Sequence, residues 1–254
     1  MIDVEQEFGR CIESAGGRHV QDIVGNSPQF RNADYLFPAD SVVAELKCLT
    51  EDKGSDEGII KKASRLYEEC LRAGDAPLLA FGTVKITTER FPEYFSRQII
   101  ELYRAPIHEQ ITKANRQIRE TKAALRRDDH RGLLVLVNDG HTFLDPDHLL
   151  WIVDNTLSRH SFSAIDSVII VTVNLRSRHP HMDHDWAVWI PISRTPERRC
   201  SEAFLDKLKD AWFSHLSRLT GHPTISFLAD KDFIGKLTNV QPARGEAYKL
   251  GQTK

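Results

Sequence analysis

The sequence predicts an α/β fold in which helices flank a central mixed sheet, and three stretches carry this prediction. Residues 33–49 read as two short apolar strands joined by a polar turn. Residues 132–138 form a continuous apolar run, typical of a strand covered on both faces. Between them, residues 107–127 place apolar side chains at alternating spacings of four and three, which indicates a helix with one buried stripe. A hairpin, a helix and a buried strand in this order predict a sheet with helices on its faces.

The remaining elements follow from local patterns. A helix is predicted over 3–15, because Val4, Phe8 and Cys11 share one face and Gly16-Gly17 end it. A first strand is predicted over about 19–24. Beyond residue 49, the patterns predict helices over 57–73, 91–103, 146–158 and 204–219, and strands over 77–86, 167–174 and 186–190.

Composition narrows the class of protein. The 254 residues suggest one domain, and 41% apolar with 28% charged residues is ordinary for a soluble globular chain. No apolar run approaches the roughly 18 residues of a membrane span, and the acidic N-terminus has no signal-peptide pattern. The four cysteines are scattered without a C-x-x-C pair, which argues against a disulfide framework or a zinc site. We therefore expect a cytoplasmic protein with no membrane contact.

The hairpin carries three charged residues at positions where apolar side chains would cost less free energy to bury. If its loop spans 38–41, Asp34 falls opposite Glu45, and Lys47 points to the same side as Glu45. Carboxylates directly across a ladder repel, and buried charge is costly unless it is paired or coordinates a metal. These residues therefore predict a site. The alternative left open is that Lys47 merely neutralises Glu45 at a strand end while Asp34 is exposed.

Asp34, ten intervening residues and Glu45-Leu46-Lys47 resemble the catalytic hairpin of the PD-(D/E)xK nuclease superfamily, the restriction-endonuclease-like fold. Ala33 stands where the motif has Pro, a position without a chemical role. The resemblance implies that Asp34 and Glu45, with the backbone carbonyl of Leu46, hold a Mg²⁺ or Mn²⁺ ion. It further implies that Lys47 orients or activates the attacking water.

The element order also resembles the αβββαβ core of that superfamily. The resemblance covers about 2–49 and 106–139 of a single domain. The rest of the domain is then an insertion over about 50–105, an accessory region over about 140–240, and a polar tail, 241–254, that we expect to be disordered.

Two helices supply further candidates through the same resemblance. The opening helix of related folds carries an auxiliary metal-site carboxylate, which maps to Glu5, with an ordinary solvated Glu as the open alternative. The helix after the E-x-K strand often supplies a Lys or Gln to the site, and Lys113 and Gln117 match it. The same helix is rich in Lys and Arg, so Arg116, Arg119 and Lys122 are candidates to contact phosphates, with a solvated helix face as the alternative.

The sequence thus predicts a Mg²⁺- or Mn²⁺-dependent nuclease acting on nucleic acid, with DNA as the expected substrate, and restriction or defence follows by family analogy alone. The net charge of −2 does not itself indicate nucleic-acid binding. A catalytically silent binding module on the same fold and an unrelated α/β protein with an accidental E-x-K stay open. A homodimer or a larger assembly is also open.

The histidine-rich stretch 179–184 is read as a solvated loop in preference to a metal site.

Overall fold

The computed structural model describes residues 2–25, 28–50, 56–75, 91–159, 161–221 and 229–240. Its α-helices are α1 (Val4–Ser14), α2 (Val20–Val24), α3 (Glu57–Ala73), α4 (Glu93–Leu102), α5 (Arg104–Ala124), α6 (Pro146–Arg159), α7 (Glu202–Thr220) and α8 (Lys231–Ile234). Its strands are β1 (Arg18–His19), β2 (Tyr35–Phe37), β3 (Val42–Leu49), β4 (Arg131–Asn138), β5 (Ser167–Thr172), β6 (Arg176–Arg178), β7 (Asp185–Trp186), β8 (Trp189–Ser193) and β9 (Thr238–Val240).

Within the described residues, six strands form the main sheet in the order β1-β2-β3-β4-β5-β8. The first three strands pair antiparallel, β3, β4 and β5 pair parallel, and β8 closes the edge antiparallel to β5. Strands β7, β6 and β9 form a small second sheet. The parallel step from β3 to β4 requires a crossover, which α5 completes before β4 begins.

Helices cover both faces of the sheet, and each face has its own apolar core. On one face, α3, α4, α5 and α6 pack against side chains such as Leu36, Val43 and Leu134. On the other face, α1 and α7 pack against alternate residues of the same strands, such as Phe37 and Ala44. The protein is therefore an α/β fold with a mixed sheet flanked by helices, as the sequence predicts.

Most predicted elements are confirmed within a few residues, but the region after His19 is not. The predicted strand over 19–24 is wrong: β1 ends at His19, and α2 takes up residues 20–24. The reason is the length of its partner, because β2 begins only at Tyr35, which pairs with His19. One more hydrogen bond follows that pair, from the N–H of Val20 to the carbonyl of Asp34 at 2.9 Å, and the backbone groups beyond it find partners within a helical turn.

Two further boundaries differ from the prediction. Strand β5 ends at Thr172 instead of residue 174, and the strand predicted over 186–190 is split between β7 and β8. The predicted strand over 77–86 and the tail 241–254 lie outside the described residues. Among the helices that the structure describes, none is long and apolar enough to cross a membrane.

Candidate functional site

The β2–β3 hairpin has the register that the sequence predicts. Phe37 pairs with Val42 and Tyr35 with Ala44, and the turn between the strands spans residues 38–41. Ser41 takes a left-handed conformation with φ of 54° and closes the turn. Because β2 begins only at Tyr35, Asp34 comes to lie beside Glu45 with its backbone outside the ladder.

Asp34 and Glu45 hold each other through reciprocal contacts. The N–H of Asp34 donates to Oε2 of Glu45 at 3.1 Å. The N–H of Leu46 donates to Oδ2 of Asp34 at 2.8 Å, and the Lys47 ammonium pairs with Oε1 of Glu45. The carboxylates of Asp34 and Glu45 and the ammonium of Lys47 thus form one connected group. The alternative in which Asp34 is exposed beyond the strand end is wrong, because its carboxylate is engaged and partly buried.

The charges of this group do not balance. The group has two carboxylates and one ammonium, and that ammonium pairs with Glu45. The Glu45 side chain is 0% exposed while that of Lys47 is 19% exposed. Burial, followed by the charge of Asp34, raises the pKa of Glu45 to about 8. Burial also raises the pKa of Asp34, against the lowering effects of the Leu46 N–H and of Lys47. The metal-free site therefore favours a proton where a cation could sit.

Helix α5 lies over the segment that leads into Asp34. Gln117 Nε2 donates to the carbonyl of Asn32 at 3.0 Å, and Thr121 Oγ1 accepts the N–H of Ala33 at 2.7 Å. Gln117 thus holds the backbone two residues before Asp34. The sequence predicts that Gln117 is supplied to the site itself, and that prediction does not include this contact. Lys113 is exposed and pairs with Glu109 of the same helix at 2.7 Å.

The three α5 residues predicted to contact phosphates, Arg116, Arg119 and Lys122, differ in their exposure and in their partners. Arg119 is exposed. Arg116 is also exposed, but its guanidinium pairs with Glu120 at 2.5 Å. Lys122 is buried, and its ammonium lies 3.5 Å from Asp166 and 3.3 Å from the Ala164 carbonyl. The prediction that Lys122 belongs to an exposed basic face is therefore wrong, because its charge is used inside the protein.

Glu5 lies in the first turn of α1 and is exposed. Its charge raises the pKa of Asp34 and also that of Cys48, so its carboxylate is within electrostatic reach of the hairpin. Among the described residues, no group of three or more His, Cys, Asp or Glu side chains is arranged to hold a metal ion. Glu5 therefore does not complete a cluster of three such side chains with Asp34 and Glu45.

Two residues near Glu5 were missed by sequence reasoning. Asp139 follows β4, and its charge also raises the pKa of Cys48. Asn174 follows β5, donates to Asp139 at 2.5 Å, and exchanges two 2.8 Å hydrogen bonds with the backbone of Ile2, just before α1. The sequence does contain a signal for these residues, because a polar residue follows each of the two buried strands. The carboxyl ends of neighbouring parallel strands meet at one edge of the sheet, so such residues are expected to lie close together.

The histidine-rich stretch 179–184 joins β6 to β7. His179 is buried and stacks on Phe233 with ring centroids 4.3 Å apart, and its Nδ1 accepts the N–H of His181 at 3.2 Å. His181 and His184 are exposed. The stretch is thus a surface loop with one packed histidine.

The donor chemistry of the hairpin fits a hard divalent cation. Mg²⁺ and Mn²⁺ take oxygen ligands, and Mg²⁺ commonly binds through one or two carboxylates while it keeps several waters. Asp34 and Glu45 supply those oxygens, and burial raises the pKa of both carboxyl groups. The backbone carbonyl of Leu46 stays a predicted ligand. The Leu46 side chain packs in the core of the opposite face.

Comparison of the chain with protein-family models, with curated proteins and with solved structures found no match. The fold and the site therefore define the class in coarse terms: an α/β protein with a six-stranded mixed sheet, flanked by helices, that carries a buried pair of carboxylates and a lysine on one hairpin.

Proposed function

We propose that the protein is a Mg²⁺- or Mn²⁺-dependent nuclease that hydrolyses phosphodiester bonds, with DNA as its substrate. The observation that carries this proposal is the connected group of Asp34, Glu45 and Lys47. A part-buried and a fully buried carboxylate lie together there, and the one ammonium of the group pairs with Glu45. A structural ion pair has no need of the second carboxylate, whereas a site for a divalent cation does.

The arrangement of elements supports the same proposal. Helix α1 precedes three antiparallel strands, and α5 then leads to β4, which pairs parallel with β3. With α2, α3 and α4 set aside as additions, this order resembles the αβββαβ core of the restriction-endonuclease-like fold, and the hairpin carries Asp34 and Glu45 as the resemblance to the superfamily motif implies. Under this proposal the enzyme acts in the cytoplasm, and restriction or defence is its setting by family analogy.

Each residue of the hairpin then has a defined role. Asp34, Glu45 and the Leu46 carbonyl would hold the cation. When bound, such a cation polarises a phosphoryl oxygen and lowers the pKa of a water molecule. Lys47, whose ammonium borders the carboxylates and is part-exposed, positions the attacking water or stabilises the negative charge that develops on the phosphate.

The test is cleavage of DNA and RNA, single- and double-stranded, with Mg²⁺ or Mn²⁺, by the wild-type protein and by Lys47→Ala. We expect Lys47→Ala to cut at least about 100-fold more slowly, the usual size of the loss when one charge-stabilising donor is removed. Lys207→Ala is the matched control, because Lys207 also pairs with a hairpin carboxylate, Asp40, but at the turn between β2 and β3.

Titration with Mn²⁺ separates the site from the reaction. Glu45→Gln should lose Mn²⁺ binding, because it removes one of the two anionic ligands. Equal Mn²⁺ affinity in wild type and Glu45→Gln would rule out the site. Binding that depends on Glu45, without cleavage of any substrate, would favour the catalytically silent binding module.

A further inference from the structure

Helix α5 holds the chain immediately before Asp34 through three side chains. Thr121 Oγ1 accepts the N–H of Ala33 at 2.7 Å, Gln117 Nε2 donates to the carbonyl of Asn32 at 3.0 Å, and Glu120 Oε2 accepts the N–H of Arg31 at 2.9 Å. Positions 117, 120 and 121 neighbour one another on a helix surface. The segment 31–33 is thus bound at three successive residues by one helix.

These contacts take the place of a strand ladder. Residues 31–33 precede β2, which begins at Tyr35, so strand pairing does not fix their backbone. Asp34 itself is held on the hairpin side by Glu45 and Leu46, and its carbonyl accepts the N–H of Val20 at 2.9 Å. The position of its carboxylate therefore depends on both the hairpin and α5.

Thr121 is the buried member of this set. Thr121 and Ala33 are both 0% exposed, so the N–H of Ala33 has no access to water if its acceptor is lost. Glu120 lies nearer the surface and is braced by Arg116 at 2.5 Å through its other oxygen. A buried N–H without an acceptor is unfavourable, so the backbone at Ala33 would shift to bond elsewhere. The shift would displace the adjacent residue, Asp34.

We propose that Thr121 is a positioning residue of the metal site: its hydroxyl sets the backbone at Ala33 and so places the carboxylate of Asp34 beside that of Glu45. This inference rests on the proposed function, because it assumes that the pair binds a divalent cation. Thr121 contacts neither the cation nor the substrate. It acts through Ala33 and Asp34.

The test uses two substitutions that remove different parts of Thr121. Thr121→Val keeps the shape and loses the hydroxyl, whereas Thr121→Ser keeps the hydroxyl and leaves a small void. Mn²⁺ affinity and the free energy of unfolding are measured for both by titration and by urea denaturation. We expect Thr121→Val to bind Mn²⁺ about tenfold more weakly, a change of the size expected when a buried donor loses its acceptor. We expect Thr121→Ser to stay within about twofold of wild type although it is less stable.

Thr156→Val is the matched control. Thr156 lies on α6 and is 0% exposed like Thr121, but its hydroxyl has no hydrogen-bond partner within the part of the chain that the structure describes. This substitution should leave Mn²⁺ affinity unchanged. It should not lower stability, because it removes an unsatisfied polar group.

The outcomes separate this inference from the proposed function. If wild type binds Mn²⁺ in a Glu45-dependent manner, but Thr121→Val binds as tightly, the positioning role is refuted and the site stands. The role is also refuted if affinity follows stability, so that Thr121→Ser binds as weakly as Thr121→Val. If wild type and Glu45→Gln bind Mn²⁺ equally, both the site and the inference fail. Cleavage is not needed to decide any of these cases.

Discussion

Two groups of buried charges lie on the same sheet, and they are built in opposite ways. At the hairpin, the carboxylates of Asp34 and Glu45 lie close together, and the ammonium of Lys47 pairs with Glu45. Near the starts of β4 and β5, the single carboxylate of Asp166 is 2% exposed. It lies 3.5 Å from the Lys122 ammonium and 2.8 Å from the Arg198 guanidinium, and accepts the N–H of Gly132 at 2.8 Å. The first group has an excess of negative charge, whereas the second has more cations than carboxylates.

The difference indicates which group is structural. The Asp166 group joins the end of α5 to the starts of two strands and to the segment before α7, and its partners satisfy the buried carboxylate. The hairpin group has two carboxylates and one ammonium, so that Glu45 keeps a proton up to a pH of about 8, at a place where apolar side chains would have served the fold. Proteins keep such an arrangement mainly where a ligand completes it.

The largest expected effect is on the free energy of unfolding, when Asp166 and Asp34 are separately replaced by asparagine. Asp166→Asn should lower the free energy of unfolding by about 3 kcal/mol, because it leaves the buried ammonium of Lys122 without a carboxylate. Asp34→Asn, in metal-free protein, should change it by less than about 1 kcal/mol or raise it, because it removes repulsion with Glu45 and keeps an oxygen for the Leu46 N–H. Urea unfolding in the presence of a chelator measures both.

Equal losses in these two variants would contradict the contrast between the groups. Asp154→Asn is the matched control, because Asp154 lies on α6, is exposed and belongs to neither group.

The next effect is a dependence on pH that arises from Glu45. Its pKa is about 8 in the folded protein and 4.5 in the reference state, so the folded protein retains a proton that the unfolded chain releases between these values. The resulting stabilisation is complete below pH 4.5 and is lost as pH rises through about 8. The free energy of unfolding of the metal-free protein should therefore fall over this range, at most about 1.4 kcal/mol per pH unit.

Mn²⁺ affinity should change in the opposite direction, rising up to about tenfold per pH unit as the proton leaves Glu45. Urea unfolding of wild type and Glu45→Gln over this pH range isolates the contribution of Glu45, because the variant cannot titrate there. The assignment of the proton to Glu45 is wrong if both proteins show the same slope.

The smallest effect concerns the outer face of α5. Arg119→Ala should weaken binding of duplex DNA only about threefold and reduce the slope of log affinity against log salt by about one, since it removes a single phosphate contact. Arg72→Ala is the matched control, because Arg72 is 73% exposed and lies on α3. The same salt slope in both variants would remove α5 from the proposed nucleic-acid surface.

Local patterns predicted much of the fold because they depend on neighbours in the chain. Given a turn over 38–41, the alternation of strand residues predicted the hairpin register and so placed Asp34 near Glu45, since a strand has a period of two and a shift by one would turn its apolar side chains outward. The length of β1 was not predicted correctly, because it depends on where its partner strand β2 begins.

The roles of polar side chains on α5 show the same limit. Lys122 follows Ile118 by four residues and so adjoins the buried stripe, but its partner Asp166 lies 44 residues away in the chain. Thr121 follows Ile118 by three residues and so lies on the buried stripe, where it is 0% exposed. Its hydroxyl has a function only because the chain before Asp34 passes beneath it.

The sequence by itself determined most helices and strands of the α/β fold and, with the turn placed over 38–41, the hairpin register and the three charged residues on it, because these follow from periodicity and from contacts close in sequence. Tertiary structure alone decided which charges are satisfied and which are left over. That balance depends on groups that are distant in the chain and on how far each is removed from water. It is the physical difference between Asp166, which has enough partners, and the pair of Asp34 and Glu45, which does not.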